Sequence, residues 1–212
     1  AVFIGDSETY TSLSPMEMWQ SHGLATYNCS TSGQTLPYCS TFLNRGLKTQ
    51  RPKVVFLEAN ALFRRFSYEK VAARAVNDAF PALEYHDRWK QLSLEDFIID
   101  PDHTWTDSLK GFKLRFSYKP TTEETIAKCK AANGDKTDVP ARNRNILKSM
   151  KERCEEAGAQ LVVISTPTKV NWNEKRRDTM LEIADEYGIE FIDMNLGEQP
   201  VDIDWSCESY DG

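Results

Sequence analysis

The N-terminal residues of the chain present a serine in a position that suits a nucleophile. An apolar run over residues 2–4 ends on Gly5-Asp6-Ser7, and the residues that follow predict the start of a helix. A serine at such a strand-to-helix turn exposes its hydroxyl group, as acyl transfer requires of an attacking side chain. Ser7 is therefore our candidate catalytic nucleophile.

Two candidate hydrogen-bond donors follow the next two predicted strands. Gly33 lies in a short loop after the strand near residue 27, and Asn60 follows the strand over residues 54–57. Loops at the carboxyl ends of neighbouring parallel strands converge on one crevice. We therefore expect Ser7, Gly33 and Asn60 to line one pocket. The backbone N–H groups of Ser7 and Gly33 and the Asn60 amide would then form an oxyanion hole.

These three blocks resemble the SGNH branch of the GDSL hydrolases. Gly5-Asp6-Ser7 matches the first block of that family literally, Gly33 corresponds to the glycine of the second, and Asn60 corresponds to the asparagine of the third block, Gly-x-Asn. The glycine of that third block is Glu58 here, which we predict to contact substrate. The resemblance implies a serine esterase or O-acyltransferase that needs no cofactor.

The catalytic base is the part of this pattern that the sequence shows least directly. The resemblance implies a final Asp-x-x-His block, in which Asp211 would orient a histidine located two residues after Gly212. Asp211 also suits an ordinary turn. Of the histidines present, His22 is expected to interact with the carbonyl groups at a helix end. His86 and His103 fall in a later segment and suit substrate or surface contacts better than the base.

The residue after the nucleophile is Glu8, and Gly-Asp-Ser-Glu resembles the nucleophile block of the D-alanyl transfer proteins of teichoic acid synthesis. This local resemblance implies acyl transfer on an acylated carbohydrate or cell-surface polymer. It also implies an extracytoplasmic, cell-surface protein, with a membrane anchor possible outside the given chain. A carboxylate at a helix start explains Glu8 equally well.

The elements that must position these residues alternate between short apolar runs and helical periodicity. Strands are predicted over residues 2–4, 25–27, 54–57, 161–164 and 190–193, with helices after residues 14, 142 and 173 and a further helix through Leu43 and Leu47. Such alternation is typical of βαβ units. The predicted fold is α/β, a three-layer α/β/α domain with a flavodoxin-like parallel five-stranded sheet that spans residues 1–212.

An aromatic-rich insertion over residues 62–118 interrupts the alternation. It is predicted to be a lid or substrate-binding subdomain, although a helical subdomain with its own aromatic core fits as well. Within it, Trp89 suits a sugar ring or acyl chain, and His86 and Arg88 suit substrate contact. Arg88 would bind a carboxylate or phosphate, or would instead pair with a neighbouring acidic residue.

Composition excludes several classes of function. The chain has 212 residues, 40% of them hydrophobic and 27% charged, with a net charge of −6, which is typical of a globular domain that does not bind nucleic acid. Asp100, Asp102 and His103 could hold a divalent metal ion, as a phosphoesterase would need, but a solvated loop fits better, and we predict no metal site. The rival to the enzyme is a non-catalytic carbohydrate- or polymer-binding module.

The chain has five cysteines, and this odd number excludes a complete set of internal disulfides. None of them forms a C-x-x-C pair, so the spacing of a zinc finger is also absent. Cys154 lies on a predicted helix stripe and is expected to be a buried thiol. Cys29 and Cys39 could form a disulfide if the protein is exported, and the sequence leaves that open.

Overall fold

A computed structural model describes residues 1–69, 71–72, 76, 107–114, 122–124, 127–128, 137–198 and 200–203. The chain divides into two compact units, Ala1–Arg64 with Ser108–Gly212, and Arg65–Asp107. All the elements below belong to the first unit. Most of the predicted insertion over residues 62–118 lies outside the described residues, and its role stays a prediction.

The first unit contains a five-stranded parallel sheet. Its strands are β1 (Val2–Ile4), β2 (Tyr27–Asn28), β3 (Val54–Glu58), β4 (Gln160–Ser165) and β5 (Glu190–Asp193), in the order β2-β1-β3-β4-β5. The central pairs β1–β3 and β3–β4 place Phe3 opposite Phe56 and Phe56 opposite Val162. This order confirms the predicted fold class.

Six described helices connect and cover the strands. They are α1 (Ser7–Ser12), α2 (Pro15–His22), α3 (Leu36–Thr49), α4 (Asn60–Phe63), α5 (Ala141–Glu156) and α6 (Glu174–Tyr187). Several of them begin at side-chain caps, and the Ser14 cap is the one that the sequence predicts. The Ser14 side chain accepts from the Glu17 N–H at 3.3 Å, and the Asn173 side chain accepts from the Arg176 N–H at 3.0 Å.

The core lies on both faces of the sheet. Leu13 and Met18, from the α1–α2 segment, pack on Phe3, Val162 and Ile164, so this segment covers one face. The connection from β1 to β2 crosses the sheet in one direction, whereas the connections from β2 to β3, from β3 to β4 and from β4 to β5 cross it in the opposite direction. Because crossovers between parallel strands are right-handed, α3, α5 and α6 lie on the other face. The strand order therefore reverses between β1 and β3. Ligand crevices form at such a reversal, beyond the carboxyl ends of the strands.

Local details differ from the sequence-based expectations in three places. Strand β2 lies at Tyr27–Asn28 rather than over residues 25–27, and the short helix α4 follows β3 directly. On α5 the buried stripe contains Asn143 together with Leu147, Met150 and Cys154, whereas Ile146 is only half-buried. Cys154 is a buried free thiol, as predicted, and Cys29 and Cys39 are also free and buried.

Candidate active site

Ser7 is the first residue of helix α1, and its neighbours hold it there. The Asp6 side chain caps the helix by accepting from the Glu8 N–H at 3.0 Å. Gly5 is required because a Cβ at this position would lie 2.0 Å from Thr9 Oγ1 and 2.6 Å from Glu58 Cβ. The Gly-Asp-Ser motif therefore combines a close approach of β1 to β3, a helix cap and a half-buried serine.

Asp6 is also buried, and it forms an ion pair with Arg64, which follows helix α4. The Nη1 atom of Arg64 lies 3.9 Å from the position that a Cβ of Gly33 would occupy. Arg64 thus lies between the Gly33 loop and the residue that precedes Ser7. One third of the Arg64 side chain is exposed, so solvent screens this pair only in part.

The Gly33 loop is a tight turn. Gly33 has a φ of +64°, a left-handed conformation that glycine adopts without strain. The buried Gln34 holds the turn, since its Oε1 accepts from the Thr31 N–H at 2.7 Å and from the Thr31 hydroxyl at 3.0 Å. Gln34 was not among the predicted site residues, although its position directly after a loop glycine is a signal in the sequence.

Asn60, the first residue of α4, reaches the other neighbour of Ser7. Its Nδ2 donates to Glu8 Oε2 at 2.8 Å, and its Oδ1 accepts from Arg176 Nη1 at 3.1 Å. Both Asn60 and Arg176 are buried. The segment after β3 is therefore bonded to Asp6 and Glu8, the two residues that flank the candidate nucleophile, and the loop after β2 lies beside Arg64.

Glu8 is a half-buried acceptor rather than an exposed carboxylate. Besides the bond from Asn60, it accepts from Asn171 Nδ2 and from the Thr168 hydroxyl, both in the loop after β4. Burial raises the pKa of the Glu8 carboxyl, and the charge of Asp6 raises it further. The three side-chain donors oppose that shift because they stabilise the charged form.

Glu58 is fully buried at the end of β3, and both its carboxyl oxygens bind within the protein. Oε1 accepts from the Asn60 N–H at 3.3 Å, and Oε2 accepts from Thr166 N–H at 3.1 Å and from the Thr166 hydroxyl at 2.7 Å. Burial, with the nearby charges of Glu8 and Asp6, raises the pKa of Glu58 to about 8. This geometry favours a supporting role for Glu58 over the substrate contact suggested by the sequence.

Two further asparagines, Asn143 and Asn195, support these loops, and neither was among the predicted site residues. The Asn143 Nδ2 atom donates to the Leu62 carbonyl at 2.6 Å and to the Arg64 carbonyl at 3.1 Å. Asn195, after β5, accepts from the Thr168 N–H at 2.7 Å and donates to the Thr166 carbonyl at 2.9 Å. Asn143 gives a signal in the sequence, since it is a polar residue on the apolar stripe of α5.

The described residues do not include a base for Ser7. Within the described ranges, no side chain hydrogen-bonds the Ser7 hydroxyl, and His22 lies exposed at the end of α2. Several predicted residues lie outside those ranges: Asp211, His86, His103, Arg88, Trp89, Asp100 and Asp102. In the described part of the chain, no three side chains form a metal-binding group, and no helix is long and apolar enough to cross a membrane.

Comparisons with known proteins return similar structures but no similar sequences. No protein-family model and no curated protein matches the chain. A protein assigned to the G-D-S-L lipolytic family of Desulfitobacterium hafniense is similar in structure, with 14% identity, a TM-score of 0.45 and coverage of 96% of this chain and 83% of the other. A psychrotrophic esterase from Pseudoalteromonas gives 10% identity, a TM-score of 0.41 and coverage of 92% and 78%.

A further similar structure is an SGNH-hydrolase family esterase, with 13% identity, a TM-score of 0.38 and coverage of 90% of this chain and 74% of the other. The similar structures thus include members of the family that the three sequence blocks resemble. The arrangement of this chain's own residues carries the functional conclusion below.

Proposed function

We propose that this protein is a serine-dependent acyl ester hydrolase or acyltransferase of the SGNH type. One observation carries the proposal. Asn60 hydrogen-bonds Glu8, and Arg64, the ion-pair partner of Asp6, lies beside the Gly33 loop, so both candidate oxyanion donors lie near residues that flank Ser7. A serine at a helix start with a backbone donor and an amide donor beside it suits acyl transfer.

In this mechanism Ser7 Oγ attacks the carbonyl carbon of an ester, and a tetrahedral intermediate forms. The Ser7 N–H, at the first position of α1, has no acceptor within the helix and donates to the developing oxyanion. The Gly33 N–H and the Asn60 amide complete the oxyanion hole. The base is a histidine outside the described residues, which takes the Ser7 proton and returns it to the leaving alcohol.

The substrate class proposed here is an acylated carbohydrate or polymer, and it rests on the sequence resemblance and on the aromatic-rich segment. Hydrolysis and transfer share the acyl-enzyme and differ only in whether water or a hydroxyl group attacks it. Product analysis with an added polyol separates them, since an acylated polyol forms only by transfer.

The test of the function compares Ser7→Ala with the wild type in p-nitrophenyl acetate hydrolysis, with both proteins extended by any residues that the gene encodes after Gly212. Loss of a triad nucleophile costs on the order of 10³- to 10⁶-fold in kcat, so we expect Ser7→Ala to abolish turnover. Ser12→Ala is the matched control, because Ser12 is an exposed serine on the same helix. A fluorophosphonate should also modify Ser7 Oγ with release of fluoride, detectable by mass spectrometry.

Equal rates of hydrolysis for the wild type and Ser7→Ala, with no fluorophosphonate adduct on Ser7, would contradict the proposal that the protein is a serine-dependent enzyme. That result would favour the rival interpretation, a binding module that keeps the crevice without turnover.

A further inference from the structure

Four residues form a closed hydrogen-bonded ring beside Ser7: Glu8, Asn60, Asn171 and Arg176. Asn60 donates to Glu8 Oε2 at 2.8 Å and accepts from Arg176 Nη1 at 3.1 Å. Asn171 closes the ring, because its Nδ2 donates to Glu8 Oε1 and its backbone carbonyl accepts from Arg176 Nη1. Both carboxyl oxygens of Glu8, Asn60 Oδ1 and the Asn171 carbonyl oxygen therefore each accept from a donor in the ring.

The ring admits only one orientation of the Asn60 amide. A guanidinium group can donate but cannot accept, so the side of Asn60 that faces Arg176 must be the oxygen. The nitrogen then faces Glu8, which has an oxygen available to accept. One Nδ2 hydrogen binds Glu8, and the other has no partner among the described residues. This second N–H is the donor available to an oxyanion.

Arg176 is itself held firmly in place. It is 5% exposed, and its guanidinium group lies 5.0 Å from the centre of the Phe63 ring, on the helix that Asn60 begins. The nearby charge of the half-buried Glu8 carboxyl favours the charged form of Arg176. Burying an arginine carries a desolvation cost, which its charged and polar partners must offset. An arginine on the buried side of α6, in line with Met180 and Ile183, is therefore unexpected for core packing alone.

We propose that Arg176 is a positioning residue that fixes the Asn60 amide so that its second N–H stabilises the oxyanion formed at Ser7. This inference rests on the proposed function. Arg176 acts through Asn60 and does not contact the substrate. It is separated from Asn60 by 116 residues along the chain, so local sequence patterns do not show the link.

A double-mutant cycle tests the inference, with kcat for p-nitrophenyl acetate as the measurement. Asn60→Ala removes one oxyanion donor, which costs roughly 10²- to 10³-fold in kcat. Arg176→Met removes the guanidinium group and keeps an apolar side chain over Phe63, and we expect kcat to fall about 10- to 100-fold with KM nearly unchanged. In the Asn60→Ala background, Arg176→Met should cause less than about a 2-fold further loss, because the residue through which it acts is absent.

Two more variants keep the test decisive. Arg177→Met removes the neighbouring arginine of α6, which pairs with Asp193, and should leave kcat unchanged. Arg176→Lys keeps the charge but offers a single point donor in place of the guanidinium fork, so its kcat should lie between those of the wild type and Arg176→Met. It serves as the test variant if Arg176→Met does not fold, as judged by circular dichroism.

The outcomes separate this inference from the proposed function. One outcome is that turnover depends on Ser7 but the fold-losses in kcat from Asn60→Ala and Arg176→Met multiply in the double variant. That outcome would overturn the positioning role of Arg176 and leave the proposed function standing. An unchanged kcat in Arg176→Met would do the same. Turnover that is equal in the wild type and in Ser7→Ala would overturn both.

Discussion

Glu58 shows how one residue of this site departs from an ordinary surface carboxylate. It takes the place of a glycine in the block that ends on Asn60, yet it has no exposed surface. Its two oxygens join the start of α4 to the loop after β4 through Asn60 and Thr166. Burial raises the pKa of the Glu58 carboxyl, and the hydrogen bonds from Thr166 lower it. The effect of burial is the larger, so the pKa rises to about 8.

This raised pKa predicts how stability depends on pH. Between the usual value of 4.5 and about 8, the folded protein keeps a proton on Glu58 that the unfolded chain has released. The contribution of Glu58 to the free energy of unfolding should therefore be fully present below about pH 4.5 and should be lost as pH rises toward about 8, by an amount on the order of a few kcal/mol. Glu58→Gln, which is neutral throughout, should remove this part of the dependence.

Urea unfolding of the wild type and Glu58→Gln at several pH values between 5 and 8 (about one unit apart) measures this difference. Glu182→Gln is the control, because Glu182 lies exposed on α6. Parallel pH curves for the wild type and Glu58→Gln would show that Glu58 is already charged in the folded protein.

At the scale of elements, the short helix α4 depends on its neighbour α5. A helix of four residues cannot satisfy its own C-terminal carbonyl groups. Asn143 of α5 satisfies two carbonyls in this region, those of Leu62 and Arg64. Through this contact α5 holds both Asn60 at the start of α4 and Arg64 after its end.

Asn143→Ala should therefore weaken both the fold and the site. Leaving buried carbonyl groups without a donor costs about 1 to 3 kcal/mol, so the midpoint of urea unfolding should fall. The kcat for p-nitrophenyl acetate should also fall, because Asn60 and Arg64 lose their support. Asn145→Ala is the matched control, since Asn145 lies exposed on the same helix. A stability equal to that of this control would show that the Asn143 contacts are dispensable.

At the scale of the whole molecule, the site is built from loops that follow four different strands. Ser7 follows β1, Gly33 follows β2, Asn60 follows β3 and Asn171 follows β4. The parallel sheet brings these loops to one edge, and the strand order reverses between β1 and β3, which is where ligand crevices form in such sheets. Asn195, after β5, holds the loop that carries Thr168.

The position of the base is a prediction at this same scale. If the histidine follows Asp211 in a final Asp-x-x-His block, the 212-residue chain should hydrolyse p-nitrophenyl acetate slowly. A chain extended by whatever residues its gene encodes after Gly212 should then recover a rate roughly 10³-fold or more higher. His86→Ala and His103→Ala in the 212-residue chain serve as comparisons. Equal turnover by the short and extended chains, with loss in one of these two variants, would assign the base to the aromatic-rich segment instead.

The sequence by itself determined the features that depend on short-range patterns. Alternating apolar runs and helical periodicity predicted the parallel α/β sheet and a helix from about residue 173, and the Ser14 cap marked the start of another helix. The positions of Ser7, Gly33 and Asn60 after successive strands also predicted that these residues share one edge. These features can be read from the sequence because secondary-structure propensity and hydrophobic periodicity depend on residues that lie close together along the chain.

The tertiary structure decided which polar residues support one another. Arg176 and Asn60 are 116 residues apart, and Asn143 lies 81 residues from Leu62. No periodicity encodes such pairs, and each buried polar group is stable only where the fold supplies its partner. The sequence therefore predicted Glu58 as a substrate contact, whereas the structure buries its carboxyl between two loops, because packing sets both its burial and its donors.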